Sequence, residues 1–364
     1  MALPTKTQIS DAVESINNVL DPQLAGFNTI DGIFGAEMYC GGFCMVYPLE
    51  NSIGKKYAFR VWHQEIDGIK ERIKKIAEYL KSIDNPYFVE FEYVEDALSV
   101  FDGTDNQLID AIRMDWVSGS NLLHYLDSII NGTDSEEQKQ KAILTIAEKF
   151  KEMVIRLHKD HISHGDLQHG NIMISDNQQL KLVDYDSVYV PTFTSEEQVT
   201  SGLIGYQHPC RKKSNFIASE YDDYFSEYII YISLLAYAED MTLWEPLDDI
   251  ENPRDEYSLL FKESDLLNPT QSILFNKLRN YDNSIISKLL DVLITVLNQA
   301  DCSQLPPLES LFDIDKYTKQ PDGVTIDDDF LNDLLSSKSR STYKKTNLQA
   351  EFNETEARKR YSQN

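Results

Sequence analysis

The sequence is poor in cysteine and in positive charge, and both shortages restrict what the protein can be. Its 364 residues contain four cysteines, Cys40, Cys44, Cys210 and Cys302, whose spacing matches neither a zinc site nor a disulfide framework. This usage predicts a reducing compartment, and we expect the cytoplasm. Lysine and arginine number 34 against 60 acidic residues, for a formal net charge of −26. Such a polyanion is repelled by nucleic acid, so we expect no nucleic-acid partner.

Long apolar runs are also missing. The longest, at 228–238, is too short to span a bilayer and predicts a buried helix instead. The N-terminus has no apolar signal core, so we expect no membrane association. With 41% hydrophobic residues, the chain is long enough to bury a large core, which agrees with one large domain.

One segment carries most of the functional information, namely H-G-D-L-Q-H-G-N at positions 164–171, followed by K-L-V-D-Y-D at 181–186. Phosphoryl transfer needs a carboxylate near the acceptor hydroxyl and oxygen ligands for Mg²⁺. The segment resembles the catalytic loop and metal-binding aspartate of protein-kinase-like phosphotransferases. This resemblance implies that Asp166 is the catalytic base and that Asn171 and Asp184 bind the metal. Gln168 takes the place of the lysine that steadies the transferred phosphate.

The pattern around this segment is the context that the motif requires. A helix is predicted at 135–159, with Ser135 and Gln138 forming a capping box at its start. Positions 172–174 and 180–183 read as two strands joined by a turn at Asp176 and Asn177. A turn without function is the alternative interpretation of the motif, and this context argues against it.

The N-terminal half predicts strands at 43–47, 57–61 and 109–116, and helices at 10–20 and 66–83. Ser10 or Asp11 is the expected N-cap of the first helix. In the resemblance, Gly41 and Gly42 match the second half of a glycine-rich loop, while Arg60 replaces the phosphate-binding lysine. Its acidic partner is expected in the second helix, where either Glu71 or Glu78 fits. The resemblance assigns these residues to ATP: Gly41, Gly42, Val46, Ala58, Arg60, Met114, Asp115, Val117 and Met173.

The sequence departs from the family pattern at three further places. Gly165 replaces the arginine of H-R-D, so activation by phosphorylation of the activation loop is not expected. The D-Y-D sequence lacks the glycine of D-F-G. Cys210 replaces the glutamate of A-P-E, and the stretch 298–311 lacks the arginine that would pair with it. This last joint loss supports the alignment, while Gly165, Gln168 and D-Y-D together predict a rigid, constitutively arranged site.

Two further segments complete the C-terminal half of the resemblance. Positions 202–209 resemble the segment that shapes the peptide-binding loop of protein kinases, which implies a protein substrate. Asp222 or Asp223 matches the acid that anchors the catalytic loop from below. A last core helix is predicted around 285–296.

The whole pattern is similar to a group of bacterial protein-kinase-like proteins and covers about residues 1–318. It implies an α+β, two-lobed protein-kinase-like fold with a small β-rich N-lobe carrying one main helix and a larger helical C-lobe. The expected division is an N-terminal helical extension (1–27), the N-lobe with hinge (28–118), the C-lobe (119–318) and a charged, flexible tail (319–364). By resemblance, a PP2C-type phosphatase and a von Willebrand A-like protein are expected partners.

The leading hypothesis is a Mg-ATP-dependent Ser/Thr protein kinase with ATP and Mg²⁺ as cofactors. Two alternatives remain open: a small-molecule phosphotransferase of the aminoglycoside- or choline-kinase type, supported by H-G-D and Gln168, and a nucleotide-binding pseudokinase scaffold, supported by Arg60 and the incomplete glycine loop. Nucleotidyl transfer also stays open. The tail is either a linker or an arm whose Thr342 and Thr346 are autophosphorylated.

Overall fold

The computed structural model describes residues 3–33, 35–212, 216–245, 247, 254–255, 257–298 and 305–311. The helices are α1 (Lys6–Glu14), α2 (Ile69–Ser82), α3 (Leu122–Ile130), α4 (Glu136–Lys159), α5 (Tyr224–Glu239), α6 (Glu263–Leu267), α7 (Ile273–Arg279) and α8 (Ser284–Leu297). The strands are β1 (Phe27–Thr29), β2 (Asp31–Gly32), β3 (Gly35–Ala36), β4 (Tyr39–Cys40), β5 (Cys44–Asn51), β6 (Lys56–Trp62), β7 (Phe91–Phe101), β8 (Asn106–Asp115), β9 (Gly119–Asn121), β10 (Ile172–Ser175) and β11 (Leu180–Leu182). The tail and Cys302 lie outside the described residues.

The N-terminal half is built on an antiparallel sheet of order β1-β5-β6-β8-β7, with β4 paired to β5. The strands predicted at 43–47 and 57–61 pair as the hairpin of β5 and β6. In its turn the Asn51 side chain accepts hydrogen bonds from the main-chain N–H groups of Ile53 and Lys55. The register places Val46 opposite Arg60 and Ala58 opposite Met114. Residues far apart in sequence thus become neighbours across the sheet.

Helix α1 differs from the prediction. It begins after Thr5, whose hydroxyl accepts from the Gln8 main-chain N–H while the Gln8 side chain accepts from the Thr5 main-chain N–H. The expected start at Ser10 or Asp11 is wrong because this capping box lies one and a half turns earlier. The helix ends at Glu14, and Ile16–Asn18 form a short 3-10 turn. Its buried face contacts β7, so the helix covers the outer side of the sheet.

The C-terminal half is mainly helical. Helix α4 begins at the predicted capping box of Ser135 and Gln138. Helix α5 is buried on nearly all sides, as the apolar run at 228–238 predicted. Strands β10 and β11 form the predicted hairpin, and β9 adds a third strand next to β10. In the part of the chain that the structure describes, every helix is too short or too polar to cross a membrane.

Candidate active site

A cavity of about 690 Å³ lies between the N-terminal sheet and the β9–β10 region. Of the residues assigned to ATP, all but Gly42 line it: Gly41, Val46, Ala58, Arg60, Met114, Asp115, Val117 and Met173. The predicted metal ligands Asn171 and Asp184 line it as well. The sequence reasoning missed Tyr39, Cys40, Trp116, Asn121 and His124 as lining residues. The cavity is large enough for a nucleotide-sized ligand.

Tyr39 occupies the position where a glycine-rich loop has its first glycine. Its ring centroid lies 6.1 Å from that of Trp116, so the two aromatic rings meet across the cavity from β4 to the segment after β8. The Tyr39 hydroxyl donates a hydrogen bond of 2.6 Å to Glu37, and this bond and burial raise the pKa of Tyr39 to about 12. Tyr39 therefore stays neutral and narrows this end of the cavity.

The catalytic loop is held from below by Asp223. Its carboxylate accepts the main-chain N–H groups of His164 and Gly165, the latter at 2.9 Å. Of the two predicted acids, Asp223 is therefore the anchor, while Asp222 accepts from the main-chain N–H of Ser219. Burial raises the pKa of Asp223 to about 6. The His164 ring lies in the core and contacts the Val183 carbonyl oxygen at 2.9 Å, which joins the loop to the end of β11.

Asp166 projects from this loop next to Asn171. The Asn171 side-chain amide donates to the main-chain oxygen of Asp166 at 2.8 Å and to its carboxylate Oδ2 at 3.3 Å. The other carboxylate oxygen, Oδ1, is buried and has no hydrogen-bond partner among the described residues. Burial raises the pKa of Asp166, and His164, Asn171, Arg211 and the nearby main-chain N–H of Leu203 oppose this only in part. Asp166 thus has a buried carboxylate oxygen whose capacity to accept a hydrogen bond is unused, although the residue itself does not line the cavity.

Gln168 lies on the same loop but turns toward its own backbone. Its side-chain oxygen accepts the Gly170 N–H at 2.6 Å, and the residue does not line the cavity. This bond closes the loop between Asp166 and Asn171. The role of Gln168 in holding a transferred phosphate stays a prediction.

Asn171 and Asp184 lie side by side because the Val183 main-chain N–H donates to the Asn171 carbonyl oxygen at 3.1 Å. Asp184 adopts a left-handed backbone conformation, with φ of 69°, and leaves 44% of its side chain exposed. No cluster of three or more His, Cys, Asp or Glu residues suited to a metal occurs among the described residues. One carboxylate and one amide oxygen still fit Mg²⁺, which completes its shell with waters and phosphate oxygens.

Arg60 contradicts the expected ion pair. It is 5% exposed and donates to both carboxylate oxygens of Asp186 at 2.6 Å, to Oδ1 of Asp184 at 2.7 Å and to the Cys44 sulfur at 3.0 Å. The expectation that Glu71 or Glu78 pairs with Arg60 is wrong. The physical reason is the planar guanidinium, whose parallel N–H groups match one carboxylate on the segment after β11.

Helix α2 contributes a different buried residue, Arg72. Its guanidinium donates to four main-chain carbonyl oxygens: Asp186 at 2.7 Å, Ser187 at 3.2 Å, Val188 at 3.1 Å and Glu197 at 3.0 Å. This role of Arg72 was not predicted from the sequence, because an arginine on a helix usually faces solvent. Through Arg72, α2 fixes the backbone of the segment that follows Asp184.

The segment after Asp184 is also fixed at two other points. Glu196 accepts from Lys75 of α2 at 2.7 Å and from the main-chain N–H groups of Thr194 and Ser195. Burial opposes its ionisation, but these donors prevail and lower the pKa of Glu196 to about 2. Gly165 has φ of 76°, and a Cβ there would lie 2.3 Å from the Ser187 oxygen. The arginine of H-R-D would not fit at this position.

The family model for the protein kinase domain matches residues 37–304. The chain belongs to the protein kinase domain family. This confirms the predicted protein-kinase family and the α+β, kinase-like fold, while the bacterial subgroup is not tested. Among curated proteins, serine/threonine-protein kinase cds1 of Schizosaccharomyces pombe is 27% identical over 194 residues, covering 50% of this chain and 39% of that protein. The chain therefore matches well under two thirds of that relative. The family model supports the predicted class of enzyme, a protein kinase, and the relative is a serine/threonine kinase by name.

Proposed function

We propose that this protein kinase domain is a Mg-ATP-dependent Ser/Thr protein kinase with Asp166 as base. The observation that carries the proposal is Oδ1 of Asp166, a buried carboxylate oxygen without a partner in the described chain, on the same loop as Asn171 and close to Asp184. A serine or threonine hydroxyl of the acceptor would supply the missing hydrogen bond. Asn171 holds the other carboxylate oxygen, so the base points in one direction.

The nucleotide would bind in the 690 Å³ cavity with its base between Ala58 and Met173. The main chain at Asp115 and Val117 offers it hydrogen-bonding groups. Asn171 and Asp184 would hold Mg²⁺, which when bound offsets the charge of the phosphates and of the leaving ADP. In the transfer, the acceptor oxygen forms a bond to the γ-phosphorus, the bond from that phosphorus to the β–γ bridging oxygen breaks, and the hydroxyl proton passes to Asp166.

A protein acceptor is favoured by the way segment 202–209 joins the catalytic loop. The Tyr206 hydroxyl is hydrogen-bonded to the His169 ring, and Arg211 donates to the Gly165 carbonyl oxygen at 3.1 Å. Burial lowers the pKa of His169 to about 4, so this ring is neutral. A platform for an extended peptide beside Asp166 is a feature that a metabolite kinase does not need. The bacterial subgroup, the cytoplasmic location and the two partners named above stay predictions.

The test compares wild type, Asp166→Asn and a control, Asp176→Asn, which removes an exposed carboxylate in the β10–β11 turn. Each protein is incubated with Mg-ATP and a Ser/Thr peptide library, and intact masses are recorded. Phosphoryl gain with wild type and control, but not with Asp166→Asn, supports the proposal. An AMP-sized gain would instead show nucleotidyl transfer. Nucleotide binding without any transfer would favour a pseudokinase, for which the engaged Arg60 is the supporting observation.

A further inference from the structure

The donors of Arg60 are almost fully used within the chain. A guanidinium has five N–H groups, and four of them donate to Asp186, Asp184 and Cys44. Only one is left for a phosphate oxygen. Arg60, in the place of the phosphate-binding lysine, therefore binds two carboxylates of the protein itself.

We propose that Asp186 is the positioning residue of this active site, and that it acts through Arg60 on the metal-binding carboxylate of Asp184. The inference rests on the proposed function and deepens it. Asp186 accepts one N–H from each terminal nitrogen of Arg60 in a bidentate pair, and Oδ1 of Asp184 accepts one further N–H of the same guanidinium. Oδ2 of Asp184 makes no hydrogen bond to a described residue and stays available for the metal.

Removal of the Asp186 charge would change this division of donors. Arg60 is buried and cannot lose its proton, so it needs a carboxylate partner. Without Asp186, the guanidinium would turn its parallel N–H groups to both oxygens of Asp184. The cation and Mg²⁺ would then compete for the same carboxylate.

The acidic residues of helix α2 support this assignment because they make no hydrogen bond to Arg60. Glu71 and Glu78 are exposed, and α2 is tied to the site by Arg72 through main-chain carbonyl oxygens. The charge partner of Arg60 thus comes from the same short segment as the metal ligand. Assembly of the site needs no glutamate from the helix.

The experiment compares Asp186→Asn with two controls that also remove one negative charge, Glu71→Gln and Glu78→Gln. First, binding of a fluorescent ATP analogue is titrated with Mg²⁺. Because loss of an outer-shell partner of a metal ligand costs about 10- to 100-fold in metal affinity or activity, the half-saturating Mg²⁺ should rise by roughly tenfold or more in Asp186→Asn only. Second, amide hydrogen exchange of segment 184–198, measured without metal or nucleotide, should be faster in that variant only.

Activity provides a third measurement that a purely structural role would not produce. In Asp186→Asn the lost turnover should recover as Mg²⁺ is raised, with the KM for the peptide unchanged, whereas Asp166→Asn should not recover. Arg60→Lys keeps the charge but lacks the planar fork, so its effect and that of Asp186→Asn should be non-additive in a double-mutant cycle. Equal loss in Glu71→Gln or Glu78→Gln, or an unchanged Mg²⁺ requirement in Asp186→Asn, overturns the inference. If wild type transfers no phosphate, the proposed function fails, while Mg²⁺ binding and exchange still decide the role of Asp186.

Discussion

Replacement of His158 by glutamine should destabilise the protein and change how its stability depends on pH. His158, at the end of α4, lies between two carboxylates: one ring nitrogen is 2.9 Å from Glu227 of α5, and the other is 2.8 Å from Glu309. The side chains of His158 and Glu227 are 9% and 1% exposed. The imidazolium thus joins two helices and the segment near residue 309.

The expected loss of stability in His158→Gln follows from the charges around the ring. Burial alone would lower the pKa of His158, but Glu227 and Glu309 raise it from 6.5 to about 10. At about 1.4 kcal/mol per pKa unit, the shift corresponds to roughly 5 kcal/mol at most. Removing one partner from a buried ion pair costs about 3–5 kcal/mol, because the remaining charges lose their compensation. His158→Gln leaves two carboxylates facing each other and should lie in this range.

The sign of the pH dependence follows from the raised pKa. Because the folded protein binds this proton more tightly than the unfolded chain, the stabilisation is complete below about pH 6.5 and is lost as pH rises through about 10. Wild type should therefore lose stability across this window by more than His158→Gln does. Urea unfolding at pH 6, 8 and 9.5 measures both effects.

A matched control is available in His161, which pairs with Glu220 at 2.6 Å but leaves 67% of its side chain exposed. His161→Asn tolerates the left-handed backbone there and should cost less than about 1 kcal/mol, as exposed ion pairs do. A loss below about 1 kcal/mol in His158→Gln, or pH profiles of the same slope in wild type and variant, would refute the reasoning.

Two more outcomes are expected. Gly165→Ala should lower the free energy of unfolding in urea by about 2–4 kcal/mol, because its φ is 76° and a Cβ would collide with the Ser187 oxygen. The control Gly68→Ala has a similar φ of 69° but open space around the Cβ, and it should cost about 1 kcal/mol. Equal losses in the two variants would contradict the steric argument. If Asp166 is the base, kcat/KM should rise with pH as Asp166 loses its proton, with a midpoint above the usual aspartate value of 3.8, since burial raises this pKa. A midpoint at or below 3.8 would show that the measured group is not a buried Asp166.

The elements with strong local signals were predictable from sequence. The capping box at Ser135 and the β10–β11 hairpin depend on residues three to ten positions apart, and both were found where expected. The start of α1 was missed although Thr5 and Gln8 carry the same signal, because the apolar periodicity continues past Glu14 into the turn at Ile16–Asn18. There, Val19 bridges to Leu98 of the sheet instead of extending the helix.

The candidate site was predictable as a set of residues but not as a set of contacts. Motif spacing was enough to identify the residues around the cavity. The hairpins set the strand register, and the register brings these residues together. The partner of Arg60 could not be found that way, because Asp186 is 126 positions away and its selection depends on the direction of a guanidinium across the site. The contacts of Arg72 could not be predicted either, because its partners are main-chain oxygens, which every residue possesses.

The pairing of Arg60 with Asp186 also has a consequence for how these two positions evolve. Asp186 without Arg60 would leave a buried negative charge uncompensated, and Arg60 without Asp186 would turn to the metal-binding Asp184, so neither can change first without loss of the fold or of the metal site. Among related chains, arginine at position 60 and aspartate at position 186 should therefore be gained and lost together. Relatives with lysine and glycine at these two positions should retain an acidic residue on the helix that corresponds to α2. The residue after Tyr185 would then be a marker that sorts genome sequences into two lineages before any of the proteins is purified.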